Sequence, residues 1–206
     1  MTSHDRLREN ALRELRQHDV LMLDGHFDYG NGYHGRVYLN PHALFLQPST
    51  IWRLSQDLLD LLPFDVLEQV DVVAGPVTGG ALLAHTLAGL LDGRRALTRP
   101  PCRFAPFNHD ARGGFTLRSY YAGRLAGQRV LVADDVRNTG KTFERCVRLV
   151  REAGGQVIGT AEIYDRQEAL VTLDVPNFAL VEYTAPQNHP AADCPLCRAG
   201  QPFTRF

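Results

Sequence analysis

The chain has 206 residues, 44% hydrophobic and 22% charged. That size and balance exclude intrinsic disorder and allow one domain with a core that needs no disulfides. Its 22 basic and 23 acidic residues give a net charge of -1, so no basic surface for nucleic acid is implied. The segment Met1 to Val20 is too charged for a signal peptide. The longest apolar run, Ala81 to Leu91, is broken by His85, Thr86 and Gly89, so no membrane span is expected and the protein is expected in the cytoplasm. Four cysteines (Cys102, Cys146, Cys194, Cys197) are too few for a disulfide framework. Lys141 is the only lysine, so any chemistry that needs an ammonium group must use it.

In chain order, Ser3 to Asp19 predicts a helix with Leu7, Ala11, Leu12 and Leu15 as its apolar stripe and Ser3 as its cap. Gly25 to Gly35 reads as loop, and Arg36 to Asn40 as a short strand stopped by Pro41. Ser49 to Leu62 is a second amphipathic helix, with Ile51, Leu54, Leu58, Leu61 and Leu62 inward. Val70 to Ala74 is a short apolar run, followed by a glycine-containing loop and a helix to Leu91. Thr98 to Tyr121 shows no helical period. It holds Pro100, Pro101, Pro106, Gly113 and Gly114, and predicts a long functional loop. Arg129 to Ala133 is a strand, Thr142 to Ala153 a helix closed by Gly154-Gly155, and Gln156 to Tyr164 and Phe178 to Tyr183 two further strands. Strands alternating with helices predict a parallel sheet covered on both faces, with ligands beyond its carboxyl edge.

The segment Val130-Leu-Val-Ala-Asp134-Asp135-Val-Arg-Asn-Thr-Gly140-Lys141-Thr142 carries the most chemistry. A buried strand delivers two adjacent carboxylates, and a glycine- and hydroxyl-bearing loop then enters a helix. Backbone N–H groups there, with Thr139 and Thr142, suit an anion. The carboxylates repel that anion and suit hydroxyls or a hydrated metal ion beside it, so the expected ligand carries both a phosphate and a diol. A triphosphate-binding P-loop is excluded, because Asp135 stands where that motif needs its first glycine. The spacing Gly75-x-x-x-Gly79-Gly80 also fails the dinucleotide pattern.

A strand, an acidic pair and a Thr-Gly-x-Thr loop resemble the signature of type I phosphoribosyltransferases, which bind 5-phosphoribosyl-1-pyrophosphate (PRPP). The resemblance implies an α/β fold with a central parallel sheet flanked by helices and a small N-terminal hood. One domain over residues 1–206 would have residues 1–45 and the tail 184–206 as its annex. Asp134 and Asp135 would contact the ribose hydroxyls. Arg137, Asn138, Thr139, Gly140, Lys141 and Thr142 would wrap the 5'-phosphate, and Pro76, Val77, Thr78, Gly79 and Gly80 would form the pyrophosphate loop. Tyr164-Asp165-Arg166-Gln167-Glu168 and the tail Cys194-Pro-Leu-Cys197-Arg-Ala-Gly200 resemble the orotate phosphoribosyltransferases among them. Arg166, Asn138 and Phe27 would then meet the base, since a planar guanidinium pairs with carboxylate and carbonyl oxygens. Mg²⁺ is the implied cofactor, PRPP, orotate or another nucleobase, and pyrophosphate are the implied ligands, and a homodimer is the implied assembly.

The chain departs from that pattern in two places. The family's mobile loop carries lysines. Here Arg99, Arg103, His109 and Arg112 are the candidate catalytic residues, in a loop from Pro100 to Phe115 expected to close over the site. Gly30 stands where the family has a lysine near the base; Tyr29 and Tyr33 are further candidates to stack on it. These departures keep two alternatives: transfer to a different base, or a PRPP-binding regulator without turnover. Cys194 and Cys197 read first as free thiols of that family-typical tail; the alternative is half of a zinc site, to which His189, Asp193 or a second subunit would have to add ligands. His4, His18, His26, His34, His42 and His85 show no ligand spacing and receive no role.

Overall fold

Successive side chains of a strand point to opposite faces, and in Val130 to Ala133 both faces are apolar, so this strand must be covered on both sides. A computed structural model provides the structure and describes all residues except 1, 19, 30–31, 96–98, 112, 168–170, 185–187 and 205–206. The chain opens with helix α1 (Ser3–Gln17) and strands β1 (Leu21–Met22), β2 (Phe27–Asp28), β3 (Tyr33–Gly35) and β4 (Tyr38–Leu39). Helices α2 (Pro41–Leu46), α3 (Pro48–Leu61) and α4 (Phe64–Gln69) lead to β5 (Val72–Pro76) and α5 (Gly79–Arg94). Then come β6 (Arg103–His109), β7 (Phe115–Thr116), α6 (Ser119–Ala122), β8 (Arg129–Arg137), α7 (Lys141–Glu152), β9 (Gln156–Asp165) and β10 (Asn177–Glu182). The tail holds β11 (His189–Pro190), a 3-10 turn (Ala191–Asp193) and α8 (Pro195–Arg198).

The central sheet runs β10-β9-β8-β5-β6-β7, parallel except for β7, which is antiparallel to β6. Leu131 and Ala133 join the core shared with α1, α3 and α5, while Val130 and Val132 join the core shared with α7. The predicted stripe Ile51, Leu54, Leu58, Leu61 and Leu62 is buried, and α7 buries Phe143, Cys146, Val147 and Val150 at helical spacing. Each fully buried leucine or phenylalanine contributes about 1.5–3 kcal/mol. Two small antiparallel sheets, β1-β4 and β11-β3-β2, lie outside the main sheet, and the second joins the segment around Phe27 to the tail. No helix among the described residues is long and apolar enough to cross a membrane.

Three expectations are corrected. Gly25 to Gly35 contains the strands β2 and β3 rather than loop alone. The cap of α1 is Thr2, whose hydroxyl accepts from Asp5 N at 3.1 Å while Asp5 Oδ2 accepts from Thr2 N at 2.6 Å. The expected long loop is largely the strand β6. Its prolines concealed it, but Pro106 pairs with Gly75 on one side only, and β7 joins β6 only at Asn108 and His109, so the missing N–H disturbs no second ladder.

Glu162 sits fully buried in β9, in register with Asp134 of β8. Asn177 Nδ2 donates to its Oε1 at 2.6 Å, and its Oε2 has no hydrogen-bond partner. Burial pushes this carboxyl up to about 8, against the Asn177 hydrogen bond. The native state therefore holds the proton while the unfolded chain releases it near the ordinary value of 4.5. Stability from this group is full below pH 4.5 and is lost as pH rises to about 8. Glu162→Gln is expected to remove that slope, gaining on the order of 5 kcal/mol over the unaltered chain above pH 8. Denaturant melts at stepped pH measure it; parallel curves for the two chains would refute it.

Candidate active site

The site assembles where β5 and β8 end side by side. Gly79 and Gly80 open α5, Asp134 and Asp135 lie near the end of β8, and the two pairs touch. A Cβ on Gly79 would fall 2.2 Å from Asp135 Oδ2, and one on Gly80 would fall 2.6 Å from Asp134 Oδ1 and 2.5 Å from Pro76 Cδ. A Cβ on Gly75 would meet the Gly80 and Ala133 carbonyl oxygens at 2.2 and 2.7 Å. Three glycines thus let one loop lie directly on an acidic pair. The Val77–Thr78 peptide is cis, and Val77 N donates to Phe107 O at 2.9 Å.

The pair itself is braced by the backbone. Asp134 Oδ1 accepts from Asp135 N and Asp135 Oδ1 from Val136 N, both at 3.0 Å. Burial first, then the Asp135 charge, holds the Asp134 carboxyl well above the usual carboxylate range. Both groups present only hard oxygen donors, the kind that Mg²⁺ takes.

Beyond the pair, β8 turns into α7 through a cup of about 120 Å³ lined by residues 136–143. Gly140 has φ 82°, which a side chain adopts only with strain, and it precedes the first turn of α7. Arg137 Nη2 donates to Val171 O at 3.2 Å, and its guanidinium lies 5.9 Å from the Phe143 ring. Lys141 is exposed at the head of the helix. Helix N–H groups, hydroxyls and two cations give this cup the chemistry that suits an anion.

A second cavity of about 190 Å³ adjoins it and shares Val136 and Asn138. Its other walls are Tyr29, Val37, Tyr38, Leu39 and Arg166. Arg166 Nη1 donates to Asn138 Oδ1 at 3.4 Å. Tyr29 Oη donates to Val37 O at 2.6 Å, which fixes the ring in the wall. Phe27, expected at the base, is instead fully buried and packs against Tyr38 with centroids 5.5 Å apart. Sequence reading missed Val37, Tyr38 and Leu39; the only local signal is the aromatic next to a short apolar pair. Larger clefts, of about 410 and 390 Å³, lie along β6 and at the amino edge, away from the acidic pair.

The candidate catalytic residues are divided. His109 ends β6 at the carboxyl edge, exposed, with its ring 4.9 Å from that of Phe115. The turn after it is short, with Asp110 N donating to Gly114 O at 3.0 Å, so a closing loop from Pro100 to Phe115 is replaced by strand β6 and a tight turn. Arg103 opens β6, about 20 Å from His109 along the strand, and donates to Gln128 Oε1. Arg99 is 2.5 Å from Glu68 Oε2 and also donates to the Glu68 carbonyl. Both belong to the amino edge, where Asp71 also grips Arg129 through Nε and Nη2 at 3.0 Å, so the structure does not bring Arg99 and Arg103 to the site. Arg112, Gly30 and Glu168 lie outside the described residues. Cys194 and Cys197 line neither cavity. The fold brings them to His26 and His34, not to His189, which pairs in register with His34, or to Asp193, whose carbonyl accepts from Arg198.

Residues 52–184 match the family described as a phosphoribosyl transferase domain, and the chain belongs to that family. A protein from Thermus thermophilus named orotate phosphoribosyltransferase is 33% identical over 190 residues, covering 92% of this chain and 96% of that one. The fold is that of solved phosphoribosyltransferases. The crystal structure of orotate phosphoribosyltransferase from Aeropyrum pernix superposes with TM-score 0.64 at 21% identity, over 82% of this chain and 92% of that one. An adenine phosphoribosyltransferase from Rhodothermus marinus superposes almost as well, with TM-score 0.61 at 24% identity, over 85% and 99%. Fold alone therefore does not select a base; the walls of the cavity must.

The glycines give a direct test. Gly80→Ala forces the Asp134 carboxylate and the Pro76 ring apart, with an expected loss of a few kcal/mol in a denaturant melt. Gly89→Ala, on the same helix with nothing within 4 Å, is expected to gain about 0.5–1 kcal/mol. Equal effects from the two would mean that the loop does not rest on the acidic pair.

Proposed function

We propose that this protein transfers the 5-phosphoribosyl group of PRPP to orotate, forming orotidine 5'-monophosphate and pyrophosphate. The observation that carries the reading is a sequence of three subsites along one sheet edge: an anion cup, an acidic pair under a glycine loop, and a cavity with an arginine in its wall. In this reading residues 137–142 hold the 5'-phosphate, and Asp134 and Asp135 hold the ribose hydroxyls. Burial and the Asp135 charge disfavour a second negative charge on Asp134, and ribose hydroxyls donating to the pair, or a cation beside it, offset that penalty. The backbone of Pro76 to Gly80 faces the pyrophosphate, with His109 beside it. Arg112 remains a candidate for the same charge.

The reaction breaks the C1–O bond, whose electrons leave with pyrophosphate, and forms a C1–N bond from the orotate nitrogen, whose N–H proton is given up to the departing pyrophosphate. A cationic, oxocarbenium-like sugar lies between them, and the acidic pair stabilises that positive charge. Arg166, set by Asn138, orients the carboxylate and carbonyl edge of the base. The carboxylate pair fits Mg²⁺ carried by PRPP, because it offers only oxygen donors and its buried member is relieved by a cation. When bound, the ion neutralises pyrophosphate charge. The reading includes a homodimer and a cytoplasmic setting, to which the four free cysteines are suited.

A second reading, PRPP binding without turnover, is favoured by the tight turn after His109 and by the lack of any lysine in it. Ultraviolet loss of orotate with PRPP and Mg²⁺ decides between them. Turnover that needs both is expected, and PRPP binding without turnover would select the second reading. Asp135→Asn is expected to weaken PRPP binding at least tenfold, about 1.4 kcal/mol; unchanged affinity would remove the acidic pair from the site. Arg166→Ala is expected to raise the KM for orotate roughly 10- to 100-fold, the worth of a charge-assisted pair, with PRPP affinity nearly unchanged. Equal losses for both substrates would refute its role at the base.

A further inference from the structure

Four side chains converge far from one another in sequence. His26, at the entry to β2, and His34, in β3, approach Cys194 and Cys197, which flank the first turn of α8, and the four ligand atoms all lie within 4.8 Å of one another. Cys194 Sγ and Cys197 Sγ are each 3.6 Å from His26 Nε2, and Cys197 Sγ is 3.3 Å from His34 Nδ1. A tetrahedral zinc ion with bonds of about 2.3 Å to sulfur and 2.0–2.1 Å to nitrogen has sulfur–nitrogen edges of about 3.5 Å. The observed edges match that figure.

We propose that His26, His34, Cys194 and Cys197 bind one zinc ion per chain as a closed structural site. The donor set is two neutral imidazoles and two thiols, a combination that suits zinc. Binding releases the two thiol protons to solvent, and the dication neutralises the two thiolates.

The surroundings orient each ligand. His26 Nδ1 lies 2.7 Å from the Gln201 carbonyl oxygen, so Nδ1 carries the proton and Nε2 turns its lone pair to the sulfurs. His34 presents Nδ1 inward while its Nε2 faces Asp28 Oδ1 at 3.8 Å, a carboxylate behind a ligating histidine. The Phe203 ring covers both imidazoles, with centroids at 4.4 and 5.0 Å. His26, His34 and Cys194 are buried, so their polar atoms are withdrawn from water and need partners. Four protein ligands leave no open position, which makes the site a staple rather than a catalytic centre. It ties the β2–β3 hairpin to the tail.

Metal analysis of the untagged chain, purified without chelator, tests this independently of any transferase activity. One zinc per chain is expected. Replacement by cobalt should give visible bands of tetrahedral geometry with ultraviolet thiolate charge transfer, and chelation should lower the melting temperature. Cys197→Ser and His34→Ala should each lose most of the metal, while Cys102→Ser should keep it. Should a variant fail to fold, the cobalt spectrum of the unaltered chain still decides. A metal-free chain whose Cys194 and Cys197 react freely with a thiol reagent, or pair as a disulfide, would overturn the proposal. So would a cobalt spectrum without thiolate charge transfer.

Discussion

Everything at the carboxyl edge depends on one close approach, the glycine loop after β5 resting on the acidic pair of β8. Gly75, Gly79 and Gly80 leave no room for a Cβ, and what occupies that room is carboxylate oxygen, backbone carbonyl and the rings of Pro76 and Phe45. The approach exists because β5 and β8 are adjacent parallel strands whose register sets the end of β5 level with the acidic pair of β8. It sets the backbone of one loop beside the acidic groups of the other without any long side chain to position. It also explains the electrostatics of the pair. Covering Asp134 with a helix start removes water, and that burial, with the Asp135 charge beside it, pushes its carboxyl up.

Much of this was legible because it is local. One unbroken segment, residues 130–142, carries strand, carboxylates, turn and helix start, so its chemistry could be read without knowing its neighbours. The stripes of α3 and α7 were likewise written at helical spacing. What escaped notice depends on pairing between distant segments. The strand β6 was disguised by Pro106, tolerated because only one neighbour pairs there. Once that strand is in place, Arg99 and Arg103 fall at the amino edge, opposite the acidic pair of the same chain. The walls supplied by Val37, Tyr38 and Leu39, and the meeting of His26 and His34 with the tail, arise from small antiparallel sheets that no local spacing announces.

The arginines divide in the same way. At the amino edge, Arg95, Arg99, Arg103 and Arg129 bond to carbonyls, to Glu68, to Gln128 and to Asp71, closing the ends of loops and strands. At the carboxyl edge, Arg137 and Arg166 border the cup and the cavity. A chain with one lysine uses one side-chain type for both tasks. Residue type alone therefore does not tell structural from ligand-binding cations here; strand direction does.

The tail is bound to the N-terminal hairpin by its last described residues. Thr204 N donates to His26 O at 2.7 Å, and His26 N donates to the Thr204 hydroxyl at 3.0 Å, across 178 positions of sequence. The central sheet from β5 to β10 is built within residues 72–182, whereas the β2–β3 hairpin gains its third strand only from residues 189–190. Closing so long a loop is slow relative to forming local contacts. The carboxyl-edge cup, lined by residues 136–143, needs none of these tail contacts, whereas the cavity beside it takes part of its wall from Tyr29, next to the segment that the tail holds.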